Sequence, residues 1–271
     1  MSVPAFRVAS STRISLAVVA ISAAGLGLLS FGFGDFAPSG AILPNWLPWR
    51  DMWVRLAATI LLLASVGLCI PRTALCAGYA VGAYQLIWVA IGTPPIVSAP
   101  LNIGAWYGFV EALTALVGTL ILCATLRRDA LGLAMPTAGE HAVRAAQVSF
   151  GMTCIFYGCS HFAYADYTAA MVPHGLPGRL QWAYFTGGAH VVAGLAVAAG
   201  VLPRLAATLE ATMMSLFGLL VWVPTFLLHA PPAWAMPPKN RWSELVVNIA
   251  LAASAWVVAL SFGRSAPPNR K

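Results

Sequence analysis

Eight stretches of this chain are long and apolar enough to cross a lipid bilayer, and they constrain its fold more than any other feature. A crossing helix needs about 20 predominantly apolar residues. The chain is 60% hydrophobic and only 8% charged, whereas about a quarter of the residues in soluble domains are charged. The sequence therefore predicts an all-α integral membrane protein with eight transmembrane helices, at 14–33, 53–70, 74–91, 106–124, 145–164, 182–201, 206–228 and 245–262.

A ten-residue pattern, Pro-x-x-Leu-Pro-x-Arg-x-x-Trp, occurs twice, beginning at positions 44 and 173, which are 129 residues apart. A repeat at such a distance indicates duplicated structural units. Because each unit contains four predicted helices, an even number, both units should have the same orientation, unlike the inverted repeats of many transporters. The first copy consists of Pro44, Leu47, Pro48, Arg50 and Trp53, and the second of Pro173, Leu176, Pro177, Arg179 and Trp182.

The repeat divides the chain into two parallel four-helix units, 1–124 and 145–271, joined by the linker 125–144. Ten of the 15 Lys and Arg residues fall on the side that holds both termini and the linker. Positive residues favour the cytoplasmic side of a membrane. The sequence therefore predicts that both termini are cytoplasmic. The two loops that contain the ten-residue pattern, called the decapeptide from here on, should face outward. The first span follows Arg7 and Arg13 as a signal peptide would, but its full length favours a retained helix.

Two interpretations of the decapeptide remain open. Its prolines oppose a regular helix, and its Arg and Trp are residue types that favour the membrane interface. The composition favours an anchoring loop that fixes where the next helix enters the bilayer. The alternative is a short re-entrant cap over an outward cavity. Because both units carry the same pattern, it cannot explain an activity that belongs to one of them.

Ionisable residues within membrane spans are costly, and they mark functional sites by default. Glu111 lies in the fourth predicted span and His190 near the middle of the sixth. Neither has an ionisable counterpart in the other unit, where Leu61 is equivalent to His190 and positions 247–248 are equivalent to Glu111. This asymmetry favours one functional site. The structural alternatives are a neutral His190 bonded to a neighbouring helix and a protonated Glu111 bonded to a carbonyl group.

A ligand pocket between helices near the outer face would contain Glu111 and His190 together with Tyr157, His161 and Trp182. Aromatic side chains with a few polar groups are typical of such pockets. His161, at the end of the fifth span, could instead cap its helix. Glu210, near the inner end of the seventh span, is expected to extend its carboxylate towards the cytoplasmic surface.

Several other classes of function find no support. His161 and His190 are disfavoured as haem ligands, because Trp182 marks the membrane surface and places His190 roughly 12 Å deeper than His161. The five cysteines include no CxxC pair, so we expect buried free thiols and no metal site. No phosphate-binding loop, basic stripe or catalytic triad is present, and nucleic-acid binding is not expected.

The second unit contains a set of short patterns around its helix ends: Tyr157-Gly158, His161-Phe162, Val172-Pro173, Leu176-Pro177, Gly187, Gly194 and the turn Pro203-Arg204-Leu205-Ala206-Ala207. With these patterns it resembles the DoxX family and the wider group of DoxX/DoxD-like membrane proteins. The first unit resembles it more weakly, at Phe36, the 44–53 stretch and Pro71-Arg72.

The DoxX resemblance implies four-helix units in a bacterial inner membrane. Some members are subunits of a quinone-linked thiosulfate oxidoreductase or associate with other redox proteins. The resemblance therefore implies a redox-associated membrane component, with quinone as the class of cofactor and redox proteins as partners. Two fused units depart from the usual single unit. A non-catalytic scaffold and a transporter of a small solute or proton remain the alternatives.

Overall fold

The computed structural model describes residues 10–37, 43, 46–131, 137–228 and 232–262, and all regular secondary structure in these ranges is helical. The α-helices are α1 Ser10–Phe33, α2 Arg50–Cys69, α3 Ala74–Ile91, α4 Thr93–Ser98, α5 Tyr107–Leu131, α6 Thr137–Ala163, α7 Ala165–Met171, α8 Arg179–Ala199, α9 Pro203–Phe217, α10 Pro224–Leu227 and α11 Pro238–Ser261. A 3-10 turn, Ile103–Trp106, precedes α5, and a π-helical segment, Gly218–Trp222, follows α9. The all-α prediction is confirmed.

Seven helical stretches in the described part of the chain are long and apolar enough to cross a membrane. They contain α1, α2, α3, α5, α8, α9 and α11. The predicted fifth span, 145–164, falls in α6, which is long enough but is not one of the seven. Gln147, His161 and several Ser, Thr and Gly residues make α6 less apolar. The described residues therefore support a multi-pass membrane protein with seven candidate spans, and an eighth span stays a prediction.

Both decapeptide copies end in the first turn of a helix. Arg50 begins α2 and Arg179 begins α8, three residues before the predicted spans. The residue before each Arg has a left-handed backbone, with φ of 54° at Trp49 and 66° at Gly178. This conformation is disfavoured within a right-handed helix, so both helices start at the same motif position. Pro44 lies outside the described residues.

The helices pack in corresponding pairs in the two halves of the chain. In the first half α1 packs on α2 and α3 on α5, and in the second α6 packs on α8 and α9 on α11. The halves meet where α1 contacts α11, α5 contacts α6, and α5 contacts α11. A β-carbon on Gly118 of α5 would lie 2.6 Å from Cα of Ser254 in α11. Helices α5 and α11 are therefore in close contact between the two halves.

Glycines bring α6 and α8 into close contact. A β-carbon on Gly158 would lie 2.5 Å from the carbonyl oxygen of Gly187, and one on Gly194 would lie 2.4 Å from that of Gly151. Small residues of this kind let helix backbones approach in membrane proteins. This contact holds the polar residues of α6 beside those of α8.

An ion-pair cluster joins the two halves next to the end of α1. Oδ1 of Asp35 lies 2.5 Å from Nη2 of Arg50, and Oδ2 binds the ammonium group of Lys239 in α11. Partial burial raises the pKa of Asp35, but hydrogen bonds from Lys239 and Arg50 outweigh it and hold that pKa below its ordinary value. Asp35 therefore fixes the start of α2 and that of α11 to the end of α1.

Candidate functional site

A buried hydrogen bond between His190 and Glu210 lies at the centre of the candidate site. Nδ1 of His190 in α8 is 2.7 Å from Oε1 of Glu210 in α9, and each side chain is only 1% exposed. The second carboxyl oxygen, Oε2, is also buried and has no hydrogen-bond partner among the described residues. Buried polar groups are normally fully hydrogen-bonded, so this carboxyl group is an exception within the core.

The predicted surface orientation of Glu210 is wrong. Its carboxyl group points into the bundle towards His190 and does not extend to the cytoplasmic surface. The buried face of α9 contains Ala206, Ala207, Ala211 and Met214 as well as Glu210. These spacings of three and four residues define one helix face, so the sequence contained a signal that placed Glu210 on the packed side.

His161 and His190 are neighbours, which contradicts the predicted difference in their depth. Their ring centroids are 5.0 Å apart, with the ring planes at 83°. Nδ1 of His161 also lies 3.0 Å from the hydroxyl oxygen of Thr186 in α8. The depth estimate counted residues along each helix. It did not allow for close packing at Gly158 and Gly187, where both imidazole side chains extend towards each other.

Tyr157 lies beside the two histidines and connects them to α5. Its ring centroid is 6.0 Å from that of His190, and its hydroxyl oxygen is 3.1 Å from that of Thr114. Thr114 also donates a hydrogen bond to the carbonyl oxygen of Val110. Because the hydroxyl hydrogen of Thr114 is already used in that bond, the Tyr157 hydroxyl donates its hydrogen to the Thr114 oxygen. Tyr157 therefore has a fixed orientation within the site.

A cavity of about 1230 Å³ opens above this pair of histidines. Among the predicted site residues, it is lined by Glu111, Tyr157, His161 and His190. Its walls come from α4, α5, α6, α7, α8, α9 and α11. The short helices α4 and α7 lie, by chain connectivity, at the end of the bundle where α2 and α8 begin. The cavity thus extends from that end towards the buried His190–Glu210 hydrogen bond.

Glu111 has an acidic partner in the cavity that the sequence interpretation did not include. Glu111 on α5 and Glu244 on α11 both line the cavity and interact electrostatically. Glu244 was missed because the last predicted span begins at 245, whereas α11 already begins at Pro238. Two carboxyl groups and two imidazoles therefore border one cavity, which gives it several groups able to donate or accept hydrogen bonds.

Trp182 does not line this cavity but borders a second, apolar one. This groove, about 900 Å³, runs along α8 and α9 and also contains Pro173 and Leu176 of the second decapeptide. His161, Phe217 and Trp222 line both spaces. The first cavity, called the polar cavity for the ionisable side chains that line it, therefore adjoins the apolar groove at these three side chains and at Thr168, Met171 and Asn248.

The helix geometry changes where the two spaces adjoin. The segment Gly218–Trp222 is π-helical. Phe217 immediately precedes it and Trp222 is its last residue, so an aromatic side chain stands at each end. A β-carbon on Gly218 would lie 2.7 Å from Oδ1 of Asn248 in α11, so a larger residue there would displace the Asn248 amide. Single-turn π-helical insertions occur frequently at functional sites.

Comparison with known proteins gives one match. Residues 142–229 match a protein-family model described as DoxX. The matched segment includes His161, His190 and Glu210, and it runs from α6 to the residues that follow α10. No curated protein and no solved structure matches the chain significantly. Residues 142–229, about a third of the chain, are therefore similar to the DoxX family of membrane proteins.

Proposed function

We propose that this protein is a redox-associated component of a bacterial inner membrane that binds one quinone-class ligand. The ring of the ligand would occupy the polar cavity and its isoprenoid tail the apolar groove. The observation that carries this proposal is the junction at His161, Phe217 and Trp222, where the two spaces adjoin. A ligand with a polar head and a long apolar tail matches this change in lining.

The polar cavity supplies suitable contacts for a quinone ring. Phe217 lies 5.9 Å from His161 and 5.8 Å from His190, measured between ring centroids. Such aromatic surroundings favour a flat ring, while the imidazoles and the carboxyl groups of Glu111 and Glu244 provide hydrogen bonds to ring oxygens. Pockets for small ligands typically combine an apolar lining with a few polar groups of this kind.

The apolar groove supplies a matching surface for the tail. Its lining includes Phe185 and Val192 of α8 and Leu209 and Leu216 of α9, all of which are exposed on the bundle surface. In a bilayer this surface faces acyl chains, so a tail enters it without leaving an apolar environment. A ligand would therefore reach the cavity laterally from the lipid.

We also propose that the protein arose by duplication, with eight spans and both termini in the cytoplasm. Support comes from the repeated decapeptide, from the equivalent starts of α2 and α8, and from corresponding helix pairs in the two halves. If α6 crosses the membrane, α1 and α6 are the first spans of the two units, and α2 and α8 are the second spans. The His190–Glu210 pair then belongs to the second unit, at 145–271, and Glu111 lines the cavity from the first unit, at 1–124, with 125–144 as a cytoplasmic linker. The cavity opens outward, where redox protein partners of the bacterial periplasm would have access to it.

Equilibrium binding tests the proposed function. Ubiquinone-1, a quinone with one isoprenoid unit, would be titrated into the detergent-solubilised protein and followed by quenching of tryptophan fluorescence. We expect saturation at one ligand per chain. His161→Ala should weaken binding about tenfold, because it removes a side chain shared by the cavity and the groove. His174→Ala is the matched control, since His174 is exposed and borders neither space.

Non-saturable partition of ubiquinone-1 into the detergent, equal for the wild type and both variants, would contradict the proposal. Equal weakening by His161→Ala and His174→Ala would also contradict it, because the effect would then be independent of the cavity.

A further inference from the structure

The His190–Glu210 pair lies where an isolated charge is costly. Both side chains are 1% exposed, and the bond between them joins two helices in the interior of the bundle. Helix α6 packs against this part of α8 and contributes the other titratable groups, Cys154, Tyr157 and His161. None of these supplies a permanent positive charge. The protonation of the pair is therefore set mainly by its own two members.

A negatively charged pair would be poorly stabilised. That state would combine an ionised Glu210 with a neutral His190 that carries its hydrogen on Nδ1. Oε2 of Glu210 has no hydrogen-bond partner among the described residues, and the neighbouring thiol of Cys154 is only a weak donor. Burial of an incompletely solvated carboxylate costs several kcal/mol. Burial therefore favours a neutral pair that holds one further proton.

The extra proton determines what His190 presents to the cavity. In the neutral pair one proton lies in the hydrogen bond between Nδ1 and Oε1, on either atom, and the second ring nitrogen, Nε2, carries its own hydrogen. Because Nδ1 is engaged by Glu210 and His190 lines the cavity, Nε2–H is the polar group that the ring has available for a ligand. The partner of one ring nitrogen commonly fixes the chemistry of the other.

We propose that Nε2–H of His190 selects the oxidised, carbonyl form of the ligand, and that Glu210 is the positioning residue that keeps this hydrogen in place. The proposal rests on the ligand site of the proposed function and adds which redox form of the ligand it prefers. A quinone carbonyl only accepts hydrogen bonds, so it matches an N–H donor. A quinol hydroxyl oxygen can also accept from Nε2–H, but the hydroxyl hydrogen then needs a separate acceptor, which His190 does not offer.

The repeat provides an internal comparison for this donor. Leu61 in α2 lies 129 positions before His190 and is completely buried. The position 132 residues before Glu210, the offset between Pro71-Arg72 and Pro203-Arg204, is Gly78. An aliphatic residue and a glycine cannot hold a proton. The proposed donor therefore belongs to the second half of the chain alone.

Paired binding measurements with ubiquinone-1 and ubiquinol-1 test the inference. The two probes share one tail, so groove contacts cancel in the ratio of their dissociation constants. We expect the wild type to bind the quinone roughly five- to tenfold more tightly, as one net hydrogen bond provides. His190→Leu should bring the ratio close to one. Glu210→Gln should lower it towards one, because the amide oxygen can accept a hydrogen from Nδ1 and leave Nε2 without one. Cys154→Ala, beside the same carboxyl group, should keep the wild-type ratio.

Nitrogen-15 NMR of the histidine-labelled wild type provides a readout that needs no folded variant. The resonance of His190 Nε2 should be that of a protonated nitrogen, while Nδ1 should show a shared proton. Equal or tighter binding of ubiquinol-1 by the wild type, or an unprotonated Nε2, would overturn the inference and leave the ligand site standing. Failure of both probes to bind would instead contradict the proposed function on which it rests.

Discussion

Nδ1 of His190 and Oε1 of Glu210 lie 2.7 Å apart, in a region where both side chains are almost completely shielded from solvent. Single substitutions should be more harmful than the double one. We expect His190→Leu and Glu210→Leu each to lower the free energy of unfolding by about 2–4 kcal/mol, because each leaves a buried polar partner unpaired. The double variant should recover at least half of the summed loss, as measured by thermal unfolding in detergent in a double-mutant cycle. Strictly additive losses would show that the two groups are not coupled.

The close contact of α6 and α8 predicts different effects for two glycines on one helix. A β-carbon on Gly194 would lie 2.4 Å from the Gly151 carbonyl oxygen, whereas one on Gly188 would have no atom within 4 Å. Gly194→Ala should therefore destabilise the protein by about 1–3 kcal/mol. Gly188→Ala should be neutral or slightly stabilising, because alanine favours helices over glycine by about 1 kcal/mol. Equal melting temperatures for the two variants would contradict the described helix contact.

The Asp35 cluster predicts a loss of stability in acid. Because ion pairs hold the pKa of Asp35 below its ordinary value of 3.8, the cluster contributes its full stability above that value. The contribution disappears as the pH falls through the lowered value. Asp35→Asn should cost up to about 1 kcal/mol at pH 6 and much less near pH 3.

Thermal unfolding at both pH values measures the difference between Asp35→Asn and the wild type. Asp51→Asn, an exposed carboxylate in the first turn of α2, is the control. A difference for Asp35→Asn that is unchanged between pH 6 and pH 3 would argue against its ion pairs.

The proposed position of the ligand tail predicts a dependence on tail length. Ala189 lines the apolar groove, and Leu195, on the same helix, is exposed outside it. Ala189→Trp should weaken binding of a quinone with a ten-carbon tail about tenfold and leave a tailless benzoquinone nearly unaffected. Leu195→Trp should change neither. If Ala189→Trp weakens both quinones equally, the groove does not hold the tail.

The proposed eighth span can be tested at the two ends of α6. Glu140 and Asp166 are both exposed, one in the first turn of α6 and one just after its end. Each would be changed to Cys in a variant whose five native cysteines are replaced. A membrane-impermeant maleimide should label position 166 in intact spheroplasts and position 140 only after permeabilisation. Labelling of both from one side would show that α6 does not cross.

The sequence was sufficient for the helical architecture and for the residues worth examining, because apolar length and residue type are local properties. Glu111, Tyr157, His161 and His190 line one cavity, although their role in binding stays a prediction. Trp182 lies in the adjacent groove, and Glu210 is buried against expectation. These differences depend on helix rotation and on the glycine contacts between helices, which position along the chain does not specify.

Photolabelling with an azido derivative of a prenylated benzoquinone tests the central claim most directly. After illumination and proteolysis, mass spectrometry would locate the modified peptides. The account predicts about one label per chain, on peptides of α5, α6, α8, α11 or the 209–222 region, and its displacement by excess unlabelled quinone. Labels that excess quinone does not displace, or labels confined to α1–α3, would contradict a quinone site in the second half of the protein.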